Sequence, residues 1–227
     1  FFQRSIVFFG STMSFYSNQR QKKLPSSVPV KTVGLEHYLR AAILEKEAKI
    51  KRSRMEFVYF DGDPTKKAEN QKEAKDCVKK MLGRAKKHLM IADPYFATDQ
   101  FNEYIMPLAN EKCLEITIVN CKEQLEDVAH GLQKQFQDIE NELKALVASF
   151  NANVNGNKVA IYCITGQGRL HDRFVLTEGE GWQIGSSLSE FGKRACCIIK
   201  LFDSACMELD NLLCGWCNDG NVSYKIE

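Results

Sequence analysis

The chain has 227 residues, a formal net charge of +2 at pH 7, and a composition that is 44% hydrophobic and 26% charged. These values fit a soluble globular domain that buries one hydrophobic core and carries a short appended segment. They exclude a globally basic nucleic-acid binder, and no apolar run is long enough to cross a membrane. The nine cysteines are scattered through apolar patterns, which indicates reduced thiols and a cytoplasmic location.

The N-terminal quarter of the chain differs from the rest. Its first part mixes aromatic, Ser, Pro and basic residues, and Val33 to Arg54 is basic with helical character. We predict a linker and docking segment over 1–54 and one globular domain over 55–227. Because the chain begins with Phe1 and not with Met, we expect further domains or subunits outside this sequence.

Beyond residue 54, strand-like and helix-like segments alternate. The predicted strands are MEFVYFDG, HLMIADPYF, CLEITIVN, KVAIYCIT and ACCIIKLF, and VSYKIE closes the chain as an edge strand or a tail. The predicted helices are Pro64 to Lys87, Gln100 to Glu111, Lys122 to Phe150 and Asp203 to Cys217. This alternation predicts an α/β fold with a mostly parallel mixed sheet flanked by helices on both faces. Ligands bind at the carboxyl ends of strands in such sheets, so Asp93 is predicted at the rim of a site, with a simple strand terminator as the alternative.

The segment Gly168 to Arg194, GRLHDRFVLTEGEGWQIGSSLSEFGKR, carries the strongest chemical signal. A neutral histidine such as His171 can attack phosphorus and split one displacement into two easier steps. Arg173 follows two residues later and would project from the same strand face, where a guanidinium can neutralise phosphoryl oxygens. A Gly-Ser turn at Ser186 can bring a hydroxyl and backbone N–H groups to the same oxygens. This chemistry requires no metal and no cofactor.

The spacing resembles the phospholipase D superfamily motif H-x-K-(x4)-D-(x6)-G-S-x-N, with Arg173 at the lysine position and Glu178 at the aspartate position. The resemblance implies a phospholipase D-like fold and a metal-independent phosphodiesterase with His171, Arg173, Ser186 and Glu178 as catalytic residues. It further implies a nuclease that acts through a phosphohistidine, with DNA favoured over RNA as the substrate, and, by family analogy, a role in bacterial defence. Glu180 lies close to Glu178 and is an alternative for its position.

Two features depart from the family pattern. Leu188 occupies the position of the family asparagine and cannot hydrogen-bond a phosphate, so Ser187 or Ser189 would have to substitute for it. The family also has a downstream glutamate that orients the histidine, and the strand ACCIIKLF offers none. Glu190 and Asp93 are the candidate replacements.

Basic residues cluster in four runs: Arg20 to Lys23, Lys46 to Arg54, Lys79 to Lys87, and Lys193-Arg194. Most such runs are solvated helix faces, but the last follows the Gly-Ser turn and could extend a phosphate-binding surface along a nucleic-acid backbone. The predicted substrate-binding residues are therefore Ser187, Lys193, Arg194 and Asp93.

The superfamily builds its site from two histidine motifs, and this chain contains one. The other three histidines, at positions 37, 88 and 130, lack the pattern. The resemblance therefore implies a homodimer, because a twofold axis would supply the second motif.

Other functions have weaker support. A catalytically inactive module for dimerisation or phosphate binding is the main alternative, favoured by Leu188. Phospholipid cleavage lacks support because no membrane-docking segment is evident. The pair Cys214 and Cys217 lacks the partners of a zinc site and lies near a predicted helix end, so we interpret it as structural.

Overall fold

The computed structural model of the chain describes residues 30–110, 114–152, 156–166 and 168–227. Contacts divide the chain into two compact units, residues 1–49 and 50–227. The described part of the first unit belongs to helix α1 (Val30–Ser53), which lies where the sequence predicts a helix. Its side chains from 37 to 50 are exposed, and the docking role of 1–54 stays a prediction. The predicted linker over 1–29 lies outside the described residues.

The second unit is built on one eight-stranded sheet. In chain order its strands are β1 (Phe57–Phe60), β2 (His88–Ala92), β3 (Glu115–Cys121), β4 (Lys158–Ile164), β5 (Arg173–Thr177), β6 (Gly181–Ile184), β7 (Cys196–Lys200) and β8 (Ser223–Ile226). Across the sheet the order is β1-β7-β6-β5-β2-β3-β4-β8. Each predicted strand segment therefore contains a strand, and VSYKIE forms an edge strand.

The described residues of this unit form five further α-helices, the first of which is preceded by a 3₁₀ turn (Pro64–Lys66). They are α2 (Lys67–Leu82), α3 (Thr98–Gln100), α4 (Lys122–Gly131), α5 (Phe136–Ala152) and α6 (Asp203–Asn218). The predicted helix Gln100 to Glu111 is a series of short turns, in which α3 continues into a π turn (Phe101–Ile105) and a 3₁₀ turn (Met106–Asn110). The segment predicted from Lys122 to Phe150 is two helices, because the chain turns between them with Gln133 at a positive φ of 56°.

The sheet is mixed, as predicted, but the prediction that it is mostly parallel is wrong. Only the pairs β2–β3 and β3–β4 are parallel, and the other five pairs are antiparallel. A parallel pair needs a crossover of a dozen or more residues, whereas β5 and β6 are joined by a tight turn closed by Thr177 N–H donating to Glu180 O at 2.8 Å. The alternation of strands and helices does not reveal this hairpin.

The two faces of the sheet enter separate hydrophobic clusters, as the period-two alternation of strand side chains requires. Leu89 and Ile91 of β2 belong to the larger cluster, which includes residues of α2, α4 and α5. Met90 and Ala92 belong to the second cluster, together with Leu213 of α6. We call these the first and second faces.

Helices do not cover the whole second face within the described chain. At the β1 and β7 end of the sheet, Phe57, Tyr59 and Ile199 alternate with buried residues of the first face and are themselves exposed. The prediction of helices on both faces is therefore not confirmed, although Leu213 of α6 packs against part of the second face. No described helix combines the length and apolarity needed to cross a bilayer.

Candidate functional site

Several strands bring polar residues to one edge of the sheet. β2, β3 and β6 run in the same direction and end there, while β5 runs in the opposite direction and begins there. Asp93 follows β2, Asn120 lies near the end of β3, Arg173 begins β5 and Ser186 follows β6. We call this the motif edge, defined by these four residues. The motif edge thus contains the carboxyl ends of β2, β3 and β6, the kind of position at which the sequence analysis expects a ligand.

The strand register places three of these residues side by side. Ala92, the last residue of β2, pairs with β3 on one side and β5 on the other. Continuing both registers by one residue places Asp93 between Asn120 and Arg173. Since side chains alternate along each strand, all three belong to the first face, two residues beyond core positions such as Ile91.

His171 lies outside the strand that was predicted to carry it. β5 begins at Arg173, and the His171 side chain is 87% exposed, with its Nδ1 4.0 Å from Asp172 Oδ1. The preceding residue, Leu170, is buried, and its carbonyl accepts a hydrogen bond from the Cys121 thiol at 3.7 Å. The loop is thus held at Leu170, and the imidazole that follows is open to solvent.

Arg173 is half-buried, and its guanidinium carbon lies 5.6 Å from the centroid of the Tyr95 ring. Its Nε is buried and has no hydrogen-bond partner. The aromatic face holds the guanidinium by a cation–π contact and leaves one N–H donor without a partner.

The Gly-Ser turn follows β6. Gly185 N–H donates to Cys197 O at 2.8 Å, and a Cβ at Gly185 would lie 3.1 Å from Cys197 N, so a larger residue would crowd β7. The Ser186 Oγ is buried beside the Cys196 thiol and has no hydrogen-bond partner of good geometry. The turn therefore presents a second donor without a partner at the motif edge.

The next residues of the turn bind Asp93. The Ser187 hydroxyl donates to Asp93 Oδ2 at 3.2 Å and lies 2.9 Å from the Ser189 hydroxyl. Leu188 N–H donates to the same carboxylate oxygen at 2.7 Å, while the Leu188 side chain is buried. Ser187 thus holds a protein carboxylate, although the sequence predicts that it binds substrate.

Asp93 is fully buried and does not lie at an exposed rim. Its other oxygen, Oδ1, accepts the Tyr95 N–H at 3.0 Å. Burial raises the pKa of Asp93 above its ordinary value, against the opposing effect of the N–H donors of Leu188 and Tyr95 and of the Arg173 charge. The structure places Asp93 behind the site surface, as the residue that joins the Gly-Ser turn to β2.

Four buried side-chain polar atoms of the described chain lack a hydrogen-bond partner, and all four come from this edge. They are Asn120 Oδ1, Glu123 Oε2, Arg173 Nε and Ser186 Oγ. Glu123 lies in the first turn of α4, which begins where β3 ends, and its other oxygen accepts Gly166 N–H at 2.9 Å. More than 90% of buried polar groups in proteins are paired, and an unpaired one costs about 1–3 kcal/mol. Such a concentration is typical of a ligand site.

Sequence reasoning missed Asn120 and Glu123. Asn120 donates through Nδ2 to Phe96 O at 3.1 Å, which leaves its carbonyl oxygen without a partner. The only sequence signal was their position: Asn120 ends the predicted strand CLEITIVN, and Glu123 lies at the start of the predicted helix that follows. That position resembles the position of Asp93 after β2.

Glu178 lies at the opposite end of β5 from Arg173, so the structure does not bring it together with His171. Its carboxylate accepts the backbone N–H groups of Lys86 (3.2 Å), Lys87 and His88. Burial alone would raise the pKa of Glu178, but these N–H donors lower it below its ordinary value. Glu178 is predicted to act at the site, but in the structure its carboxylate anchors the start of β2.

The alternative residue, Glu180, is also engaged elsewhere. It pairs with Arg84 at 2.9 Å and with Lys200 at 2.5 Å. Both glutamates of the TEGEG turn thus have partners at the edge opposite to the motif edge.

Replacing Glu178 by Ala should lower the free energy of unfolding by about 1 kcal/mol at neutral pH, because several backbone donors lose a charged acceptor at an exposed site. The pKa of this carboxyl is lowered in the folded state, so its stabilisation is present above the ordinary value of about 4.3 and is lost as pH falls below it. Urea unfolding at neutral and acidic pH measures the difference. An equal loss at both pH values would contradict the assigned role.

The basic pair also begins at the motif edge, since it precedes β7, which runs opposite to β6. Lys193 Nζ lies 2.6 Å from Glu190 Oε1, so Glu190 is occupied and does not orient His171. Arg194 is exposed. Gly192, with a positive φ of 77°, packs its backbone closely on α2. Of the pair, Arg194 is the cation open to a ligand.

The cysteine pair lies near the C-terminal end of α6, on the second face of the sheet. Cys214 and Cys217 are free, half-buried thiols that pack against the second cluster. Burial raises the pKa of both, that of Cys217 to about 12, so both thiols stay protonated. This agrees with the structural interpretation. Within the described ranges, no three His, Cys, Asp or Glu side chains are grouped so that they could hold a metal ion.

No protein-family model matches the chain, and no curated protein matches it. Solved structures with a similar fold include TrmBL2, an archaeal chromatin protein with a novel mode of DNA binding (TM-score 0.42, 14% identity, 82% of this chain and 64% of that one). They also include phosphatidylserine synthase of Haemophilus influenzae Rd KW20 (TM-score 0.45, 16% identity, 59% of this chain and 33% of that one). NucT from Helicobacter pylori is a third (TM-score 0.40, 10% identity, 69% of this chain and 91% of that one). The chain thus spans less than two thirds of the first two proteins. Because the identities and TM-scores are low, the assignment of the site rests on its own residues.

Proposed function

We propose that the motif edge is the site of a metal-independent phosphodiesterase, and that its substrate is DNA. The observation that carries this proposal is the concentration of unpaired buried polar atoms at the motif edge. Two of them belong to the motif itself, Arg173 Nε and Ser186 Oγ, and both can donate a hydrogen bond. A phosphoryl group supplies the acceptor oxygens that these donors lack.

The donors are suited to the charge that develops during phosphoryl transfer. Arg173 brings a permanent positive charge, which its contact with Tyr95 holds in place. Both donor atoms are buried, and in such a setting an oriented donor stabilises charge more strongly than it does in water. Arg194 is exposed at the same edge and would bind a neighbouring phosphate of the nucleic-acid backbone.

In the proposed reaction, one imidazole nitrogen of His171 attacks phosphorus and forms an N–P bond while the bond from phosphorus to the leaving oxygen breaks. A second histidine gives its proton to that oxygen. The same histidine then takes a proton from water, the hydroxide attacks phosphorus, and the N–P bond breaks. Atoms and protons balance over the two steps without a metal.

The second histidine would be His171 of the partner subunit in a twofold dimer. One chain carries one motif, while nucleophile and acid each require a histidine. The exposure of His171 leaves its imidazole accessible to a second copy. A twofold axis close to the motif edge would place two such imidazoles face to face.

Mixing inactive and active chains tests this assembly. An excess of His171→Ala chain added to wild type should suppress cleavage beyond simple dilution, because each mixed dimer would hold half a site. The rate is measured on DNA in the presence of EDTA after the chains have been denatured together and refolded, so that they exchange. A matched mixture with His130→Ala, which alters an exposed histidine on α4, should leave the rate unchanged.

A rate strictly proportional to the number of wild-type chains would contradict the shared site. So would a monomer that remains fully active on dilution. Either result would mean that one chain holds the complete site. A group other than the partner's His171 would then have to be the general acid.

A catalytically inactive phosphate-binding or dimerisation module is the second candidate. It is favoured by Leu188, whose side chain is buried where the family has an asparagine, and by His171, whose ion-pair partner among the described residues is Asp172 at 4.0 Å. Incubation with single-stranded DNA, double-stranded DNA, RNA and a phospholipid in EDTA separates the two. Binding without cleavage of any of them favours the module. A place in bacterial defence rests on family analogy alone.

A further inference from the structure

We propose that Asp93 is a positioning residue that takes up a proton when an anion binds beside Arg173. This inference rests on the proposed phosphoryl site and deepens it, because it assigns a role to a carboxylate that substrate cannot reach. Asp93 is fully buried, and its two oxygens hold the Tyr95 N–H on one side and the Gly-Ser turn on the other.

The charge of Asp93 depends on Arg173. The two residues face each other in the continued β2–β5 register, and the arginine charge favours the ionised carboxylate. An ionised carboxylate is costly inside a protein unless a positive charge balances it. The charge of an anion bound to Arg173 would be neutralised by the same guanidinium. One positive charge would then have to balance two negative charges, that of the anion and that of Asp93.

A proton on Asp93 relieves this conflict, and the fold already holds an acceptor for it. Asn120 lies on the other side of Asp93 in the β2–β3 register, and its Oδ1 is buried without a partner. Its Nδ2 donates to Phe96 O, which fixes the direction of the amide. A protonated Asp93 gains one O–H donor and can donate to this oxygen. The unpaired amide oxygen is thus explained as the acceptor for a neutral Asp93.

Two other titratable side chains that act on Asp93 keep their protons at neutral pH. Tyr104 of the π turn and Cys121 of β3 interact electrostatically with Asp93. Burial raises the pKa of Tyr104 and raises that of Cys121 to about 11, so both keep their protons. Among these groups, a proton taken up on anion binding goes to Asp93.

The test measures sulfate binding by calorimetry, because sulfate stays a dianion between about pH 5 and about pH 9 and brings no titration of its own. The protein carries His171→Gln, which removes the imidazole of the motif. Cationic buffers with different heats of ionisation give the number of protons taken up. We expect uptake of up to one proton for each sulfate bound. The affinity for sulfate should therefore fall by up to about tenfold for each unit by which the pH is raised.

Two further variants in the His171→Gln background locate the proton. Asp93→Asn should bind sulfate with no proton uptake, because the amide mimics the neutral carboxyl. Asn120→Leu removes the acceptor, so it should bind sulfate with less proton uptake and remains informative if Asp93→Asn does not fold.

Sulfate binding with no proton uptake at any pH, or uptake that persists in Asp93→Asn, would overturn the inference and leave the proposed function standing. Failure of sulfate to bind even the wild-type chain would instead count against the phosphoryl site itself.

Discussion

His171→Ala is expected to lower phosphodiester cleavage by at least about a thousandfold, because it removes the nucleophile that forms the covalent intermediate. The side chain is largely exposed and has no close partner, so its removal should leave the free energy of unfolding nearly unchanged. EDTA should leave the wild-type rate unchanged. Initial rates on DNA, with and without chelator, together with urea unfolding of the variant, measure these effects.

The control for this variant is His130→Ala, an exposed histidine of α4 far along the chain from the motif. It should cleave at the wild-type rate. Strict dependence of cleavage on a divalent metal would refute the mechanism, and so would a His171→Ala variant that keeps wild-type activity.

Arg173→Ala is expected to lower kcat by about 10²–10³-fold, which corresponds to the loss of about 3–4 kcal/mol of transition-state stabilisation by an oriented donor. The same change removes the charge that balances Asp93, so the variant should also be less stable near neutral pH, where Asp93 must take up a proton. Rates on DNA and urea unfolding separate the two effects.

Arg173→Lys serves as the matched variant. Lysine restores the charge and the residue of the superfamily motif, but it has no guanidinium fork, so its kcat should lie between those of wild type and Arg173→Ala. If Arg173→Ala keeps wild-type kcat while folded, the guanidinium does not contact the transferred group.

The positions of the strands could be predicted, because local sequence patterns determine them. Each predicted strand segment contains a strand, because alternating or continuous apolar runs are a direct signature of burial in a sheet. Strand direction was not predictable in the same way. The TEGEG turn closes a hairpin between β5 and β6, and the position of β7 and β1 beside it depends on tertiary packing.

The candidate site was predicted in part. The sequence placed Arg173 and Ser186 at one edge through the motif spacing, and Asp93 through its position after a strand. It also predicted that Glu178 acts with them, although a strand advances about 3.3 Å per residue and the five residues of β5 carry Glu178 to the opposite edge. Strand geometry alone was sufficient to correct this.

Asn120 and Glu123 could not be identified from the sequence, because they stand out only through a buried side-chain oxygen that has no hydrogen-bond partner. Whether a buried polar atom has a partner depends on distant segments. Phe96 O accepts from Asn120 Nδ2 and Gly166 N–H donates to Glu123 Oε1, while Asn120 Oδ1 and Glu123 Oε2 are left without a partner. No local pattern encodes an unpaired atom. The same holds for Asp93, whose burial results from the Gly-Ser turn folding over it.

The central claim, a phosphoryl group transferred to His171 at the motif edge, is tested most directly by trapping that intermediate. The chain is mixed with a DNA substrate in EDTA, quenched under denaturing alkaline conditions that preserve phosphohistidine, and digested for mass spectrometry. The account predicts a phosphoryl adduct on the peptide that contains His171, and its absence from the Arg173→Ala variant at the same time point. Rapid cleavage with no adduct on His171 at any time, or an adduct on another residue, would contradict it.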